Sequence, residues 1–112
     1  FADSSLTHFL AISDLAYSFV TWWPTDVRRQ CQQRLIEAWH TTLLARGVTS
    51  YSISRCRQDW ILCGAQQLCV PAGWCGEGDA IDRMRWLWEK QLRRVLSFID
   101  EFDAIAVLTA SA

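Results

Sequence analysis

Five cysteines, two histidines and twelve carboxylates are the residues of this 112-residue chain that could do covalent, metal or acid–base chemistry. The last four cysteines follow the spacing Cys56-x6-Cys63-x5-Cys69-x5-Cys75, with Cys31 upstream. Structural zinc draws on short C-x2-C chelating pairs, and none is present, so no metal ligand is assigned. The absence of C-x-x-C also removes the usual redox arrangement. Cys69 and Cys75 flank Pro71-Ala72-Gly73, read as a loop that could bring their Cα atoms within the roughly 4.4–6.8 Å a disulfide needs. Those two are the disulfide candidate. Cys56 and Cys63 cannot pair on one straight helix, though Cys31 could reach either of them across helices. His8 and His40 are placed beside no cysteine by the sequence, and His40 reads as a surface residue. Asp79-x-x-Asp82 and Asp100-x-x-Asp103 are explained by helix-start capping. With no phosphate-binding Gly loop and no nucleophile elbow, no catalytic residue and no cofactor is assigned, and a non-enzymatic protein is expected.

Recognition chemistry is better represented. Seven tryptophans accompany ten arginines and a single lysine. Trp and Arg are enriched at binding hot spots, where a flat ring or planar guanidinium gives much contact for little entropy. Arg83, Trp86, Lys90 and Arg93 share one face of a helix, away from the Met84/Trp88/Leu92 stripe. Such a face can stack on a base, make cation–π contacts or anchor a protein interface, unless the Arg stems merely shield the ring within the monomer. Trp22 and Trp23 are adjacent, so on a helix they point about 100° apart and one of them must meet an edge or interface. The candidate binding residues are therefore Trp22, Trp23, Arg83, Trp86, Lys90 and Arg93. Trp39, Trp60 and Trp88 read as core, and Trp74 as a cover over a bundle end.

The elements that must position these residues are helical. A first helix from Ser4 or Ser5 to about Trp22 carries two adjoining apolar stripes, one through Leu6, Phe9, Leu10, Ser13, Tyr17 and Val20, the other through Ile12, Leu15, Phe19 and Trp22. Pro24 ends it. A second helix spans about 26–46, with Val27, Cys31, Leu35, Ala38, Trp39, Thr42 and Leu43 inward and Gly47 as its left-handed cap. Residues 48–54 suit a short extended segment, followed by a third helix from Arg55 to about Leu68. A β-hairpin through Tyr51–Cys56 and Trp60–Gly64 is the rival. Pro71 through Gly78 reads as loop. A long helix then starts at Asp79, with Ile81, Met84, Trp88, Leu92, Val95 and Ile99 inward. Continued to Ala110 it would reach about 48 Å, too long for so small a domain. A break near Ser97–Asp100 and a last helix over about 101–110 are expected, because Asp100, Glu101 and Asp103 suit a helix start better than an end. The fold class is all-α: a compact four- or five-helix bundle forming one domain over 1–112.

Composition bounds the rest. Hydrophobic residues make up 51% of the chain, which argues against disorder, and net charge is −1. All eleven basic residues lie between Arg28 and Arg94 against six acids, while 1–26 and 95–112 carry three acids each. Complementary charged faces within one fold explain this, with a patch for nucleic acid or an acidic partner as the sharper reading. The stretch Leu6–Trp23 is too polar for a membrane span, so no membrane association is expected. Starting at Phe1 leaves the compartment open between cytoplasm and, after removal of a leader, periplasm.

The segment Leu68-Cys-Val-Pro-Ala-Gly73, followed by a long amphipathic helix and an Ala-rich final helix, resembles the small helical immunity proteins of the Rap1a/Tai4 type. Cys31 within Gln30-Cys31-Gln32 resembles their helix cysteine. The extra cysteines and the tryptophan load depart from that pattern. The resemblance implies a periplasmic, often dimeric inhibitor of a toxic amidase, and no interaction residue carries over. The expected function is thus a protein-binding helical module, with homodimerisation through the first helix or the Trp/Arg face. Nucleic-acid binding through that face, or a small enzyme, is the alternative.

Overall fold

The computed structural model describes residues 11–76 and 84–111. The chain folds as an all-α bundle, with no strand among the described residues. Helix α1 (11–22) is π-helical over Tyr17–Trp22. It is followed by α2 (Thr25–Ala45), α3 (Ile53–Gln66), α4 (Cys69–Gly76), α5 (Arg85–Phe102) and α6 (Ala104–Ser111). Helix α5 packs against each of the other five. The core joins Ile12, Ala16 and Val20 of α1, Ile36 of α2, Cys56, Trp60 and Cys63 of α3, and Val95 and Phe98 of α5.

Local chemistry sets the helix ends. Pro24 restricts Trp23 to extended backbone, at φ −90° and ψ 143°, which closes α1. Gly47, at φ +91°, occupies the left-handed position after α2 that Cβ-bearing residues resist. The Ser52 hydroxyl accepts from the Arg55 N–H and caps α3. Residues 48–52 are loop and 53 already begins α3, so neither the extended segment through 54 nor the hairpin forms.

Pro71–Gly76 is helix, not loop. Pro71 sits in the first turn of α4, where its missing N–H would have no helical acceptor in any case, and its ring is buried. The chain breaks after α5 at Asp103, somewhat later than the charge pattern indicated. Asp103 adopts the left-handed region at φ 47°, and its carbonyl accepts from Ala106 and Val107 to start α6. Residues with short polar side chains tolerate that conformation better than most.

On two helices the most buried line is offset from the expected apolar stripe, although Leu35, Trp39 and Leu43 of α2 and Val95 and Ile99 of α5 reach the core as their spacing indicates. On α2 the fully turned-in positions are Arg28, Gln32 and Ile36, while Val27, Ala38 and Thr42 are exposed and Cys31 is half-buried. On α5 they are Gln91, Val95 and Phe98, with Met84 exposed. On α2 the physical reason is a polar network. Arg28 is wholly buried, with its guanidinium on both oxygens of Glu101 at 3.2 and 3.3 Å and 5.0 Å from the Phe98 ring centroid. Gln32 accepts from Arg28 at 2.8 Å and from the Trp60 indole at 3.4 Å, and donates to Glu101 at 2.7 Å. Arg29 reaches Glu101 and Ser97 from the solvent side. Glu101 is therefore tolerated in the last turn of α5, where the helix dipole alone would disfavour it.

Candidate functional site

Of the candidate binding residues that are described, the structure brings Trp86, Lys90 and Arg93 together and leaves Trp22 and Trp23 apart. Successive turns of α5 place these three on one exposed ridge. With Glu89, Arg94 and Thr25, the first residue of α2, they line a cleft of about 510 Å³. Trp86 is 63% exposed, the most open tryptophan described. Arg94 is half-buried and donates to the Thr21 carbonyl at 2.9 Å, which fixes one cation at the back of the cleft. The π-helical turn of α1 supplies that carbonyl, and the Thr21 hydroxyl donates to the carbonyl of Tyr17. Trp22, though 48% exposed, does not line the cleft. Trp23 is half-buried against Phe19, with ring centroids 4.0 Å apart. Arg83 lies outside the described residues, as do Asp79, Ile81 and Asp82 at the expected start of this helix. The side chain of Trp74 is likewise outside them. Trp60 is core as read, whereas Trp39 and Trp88 are half-buried.

A second surface lies outside all of the candidate binding residues. The end of α3 (Leu62, Ala65), Leu68, the outer side of α5 (Leu96, Ile99) and α6 (Ala104, Ile105, Leu108) enclose an apolar groove of about 560 Å³. Ile105 is 68% exposed, and Leu96 and Leu108 are about half exposed. A signal existed. Residues 104–112 carry no charge, and Ile105 and Leu108 are spaced to share a helix face. Only the turn at Asp103 folds that face back beside α3.

Burial and hydrogen bonds shift the titratable groups of the interior. Burial pushes the Cys56 thiol up to about 11 and the Cys63 thiol up to about 12, so neither is a thiolate nucleophile near neutrality. The Tyr51 hydroxyl donates to Asp59 at 2.5 Å, and burial followed by that bond raises its pKa far above the ordinary phenol value. His40 is half-buried rather than free on the surface, and its Nε2–H donates to the Tyr51 carbonyl at 2.7 Å. None of the five cysteines forms a disulfide. Because Cys69 and Cys75 lie six residues apart on one helix, their Cα atoms are separated by about 9 Å of rise and cannot be bridged. Among the described residues no three His, Cys, Asp or Glu side chains gather to hold a metal ion, and no helix is long and apolar enough to cross a membrane. The chain matches no family model, and it has no significant match among curated proteins or solved structures.

Proposed function

We propose that this protein is a non-enzymatic protein-binding module whose contact surface is the groove along α6, and that a second copy of the chain is the partner that fills it. The observation that carries this reading is the contiguous apolar exposure of Leu96, Ile105 and Leu108 around one groove. Soluble monomers seldom leave such patches uncovered. The surface is self-complementary: α6 is at once a wall of the groove and a ridge carrying Ile105, so a two-fold axis can seat each ridge in the other copy's groove. This moves the expected interface from α1 and the Trp/Arg face to α6. An immunity or inhibitor role, in which the same surface would meet a toxin, rests on the family resemblance alone.

Energetics set the strength. Completing the burial of three half-exposed side chains on each copy contributes up to about 9 kcal/mol against an association cost of at least roughly 4 kcal/mol, a surplus of about 5 kcal/mol that places dimerisation below 1 mM. A weak, concentration-dependent dimer is expected. Sedimentation equilibrium should show the apparent mass rising toward twice the chain mass, and Ile105→Glu should hold it at the monomer. A chain that stays monomeric up to roughly 1 mM would remove this reading, since that limit corresponds to only about 4 kcal/mol of affinity.

A further inference from the structure

We propose that the cleft between the start of α2 and the first half of α5 is a nucleotide site, with a base stacked on Trp86 and its phosphate held by Lys90, Arg93 and Arg94. This site is separate from the α6 groove and does not depend on it. Trp86 and Leu96 are ten residues apart on α5, so the two surfaces are offset along the helix by about 15 Å.

Charge gives the sign of the ligand. Three cations and one acid line the cleft. Lys90 and Arg93 have no acidic partner within 4.0 Å among the described residues, where the ion pairs are those of Arg28 and Arg29 with Glu101. Arg94 is held in place by the Thr21 carbonyl through one nitrogen, which leaves further N–H donors in a fixed planar fork. A fork of that kind matches phosphate oxygens. Thr25 opens α2 on the facing wall, and its Pro24 cap offers no side-chain acceptor to the first-turn N–H groups. That feature adds to the positive field without carrying the assignment.

The ring and the volume give the class. Trp86 presents its indole to solvent beside these cations, where a core or a protective Arg stem would have covered it. Base–aromatic stacking is tolerant of base identity, and phosphate contacts supply the remainder of the affinity. A cleft of about 510 Å³ falls within the usual range for small-ligand pockets and holds one nucleotide. That nucleotide can be free or one unit of a single strand. Glu89 sets a sign test, because its carboxylate lies on the same wall and opposes a phosphate.

The test is titration of the full chain at low ionic strength with three probes: ATP, a fluorescein-labelled eight-residue oligodeoxythymidylate, and inorganic pyrophosphate as phosphate without a base. Saturable binding of ATP or the oligonucleotide that weakens with added salt is expected. Trp86→Ala should weaken that binding by about tenfold, while leaving pyrophosphate unchanged. Arg93→Ala should weaken all three probes, and Glu89→Gln should tighten them. Preference for the oligonucleotide identifies a strand-binding site, and preference for ATP a free-nucleotide site. No saturable binding of either, or binding indifferent to both Trp86→Ala and Arg93→Ala, overturns the proposal. Unchanged thermal melts of these variants confirm that folding is not what is being read.

Discussion

Arg28 has no exposed surface, and its carboxylate partner Glu101 retains only 21% of its side-chain exposure. Removing one member of such a pair leaves a charge stranded in the interior, so Glu101→Ala should cost about 3 kcal/mol, read as a lower urea midpoint with unchanged slope. Burial alone would raise the carboxyl pKa of Glu101, but hydrogen bonds from Arg28, Arg29 and Gln32 outweigh it and hold the group below its ordinary value. A depressed folded-state pKa gives stability that is complete above the unfolded value, near 4.5, and lost as pH falls through the folded one. Acid melts of the wild type should therefore lose this contribution below about pH 4.5, and Glu101→Ala should flatten that limb. A second residue-scale test concerns Gly64. A Cβ at this position would lie 2.2 Å from the Phe98 ring, so the mid-helix glycine is what lets α3 and α5 close. Gly64→Ala should destabilise by about 2 kcal/mol in the same assay, although alanine is the better helix former. The cysteines divide by burial. Under native conditions Cys69 should react with a thiol reagent first, while Cys56 and Cys63 should react only on unfolding.

At the scale of elements, what could be read in the sequence was what local chemistry decides. The ends of α2 follow from Pro24 and Gly47, whereas α3 starts at Ile53, two residues before the expected Arg55, because Ser52 caps it. The most buried line of α2 was not legible, because Arg28 and Gln32 are buried only through Glu101, some seventy residues along the chain, while Leu35, Trp39 and Leu43 pack on the core as their spacing indicates. Apolar periodicity has no means of showing that. In α1 the buried line Ile12, Ala16 and Val20 runs between the two expected stripes, and Tyr17 and Trp22 are left exposed. Helix α4 was hidden because Pro71 and Gly73 read as breakers, whereas a proline in a first turn is permitted. The Trp86, Lys90, Arg93 ridge was legible from helical spacing alone. Thr25 and Arg94, which complete its cleft, come from the packing of α1 and α2 on α5. The exposure of Trp86 carries its own test: Trp86→Ala should change thermal stability by less than about 0.5 kcal/mol, as for surface positions generally.

As a whole, the molecule offers two surfaces of opposite character along α5. One is cationic and aromatic, near the start of the helix. The other is apolar, where α5 turns back into α6. Ten residues of α5, about 15 Å, separate Trp86 on the first from Leu96 on the second. In the proposed assembly α6 is covered by a second copy of the chain. Amide hydrogen exchange of the wild type, measured in dilute and in concentrated solution, tests it most directly. Slower exchange at high concentration, confined to Ala104–Ser111 and the facing segments of α3 and α5, is the predicted result. Exchange in α6 that is independent of concentration, or protection that appears elsewhere on the bundle, would contradict it.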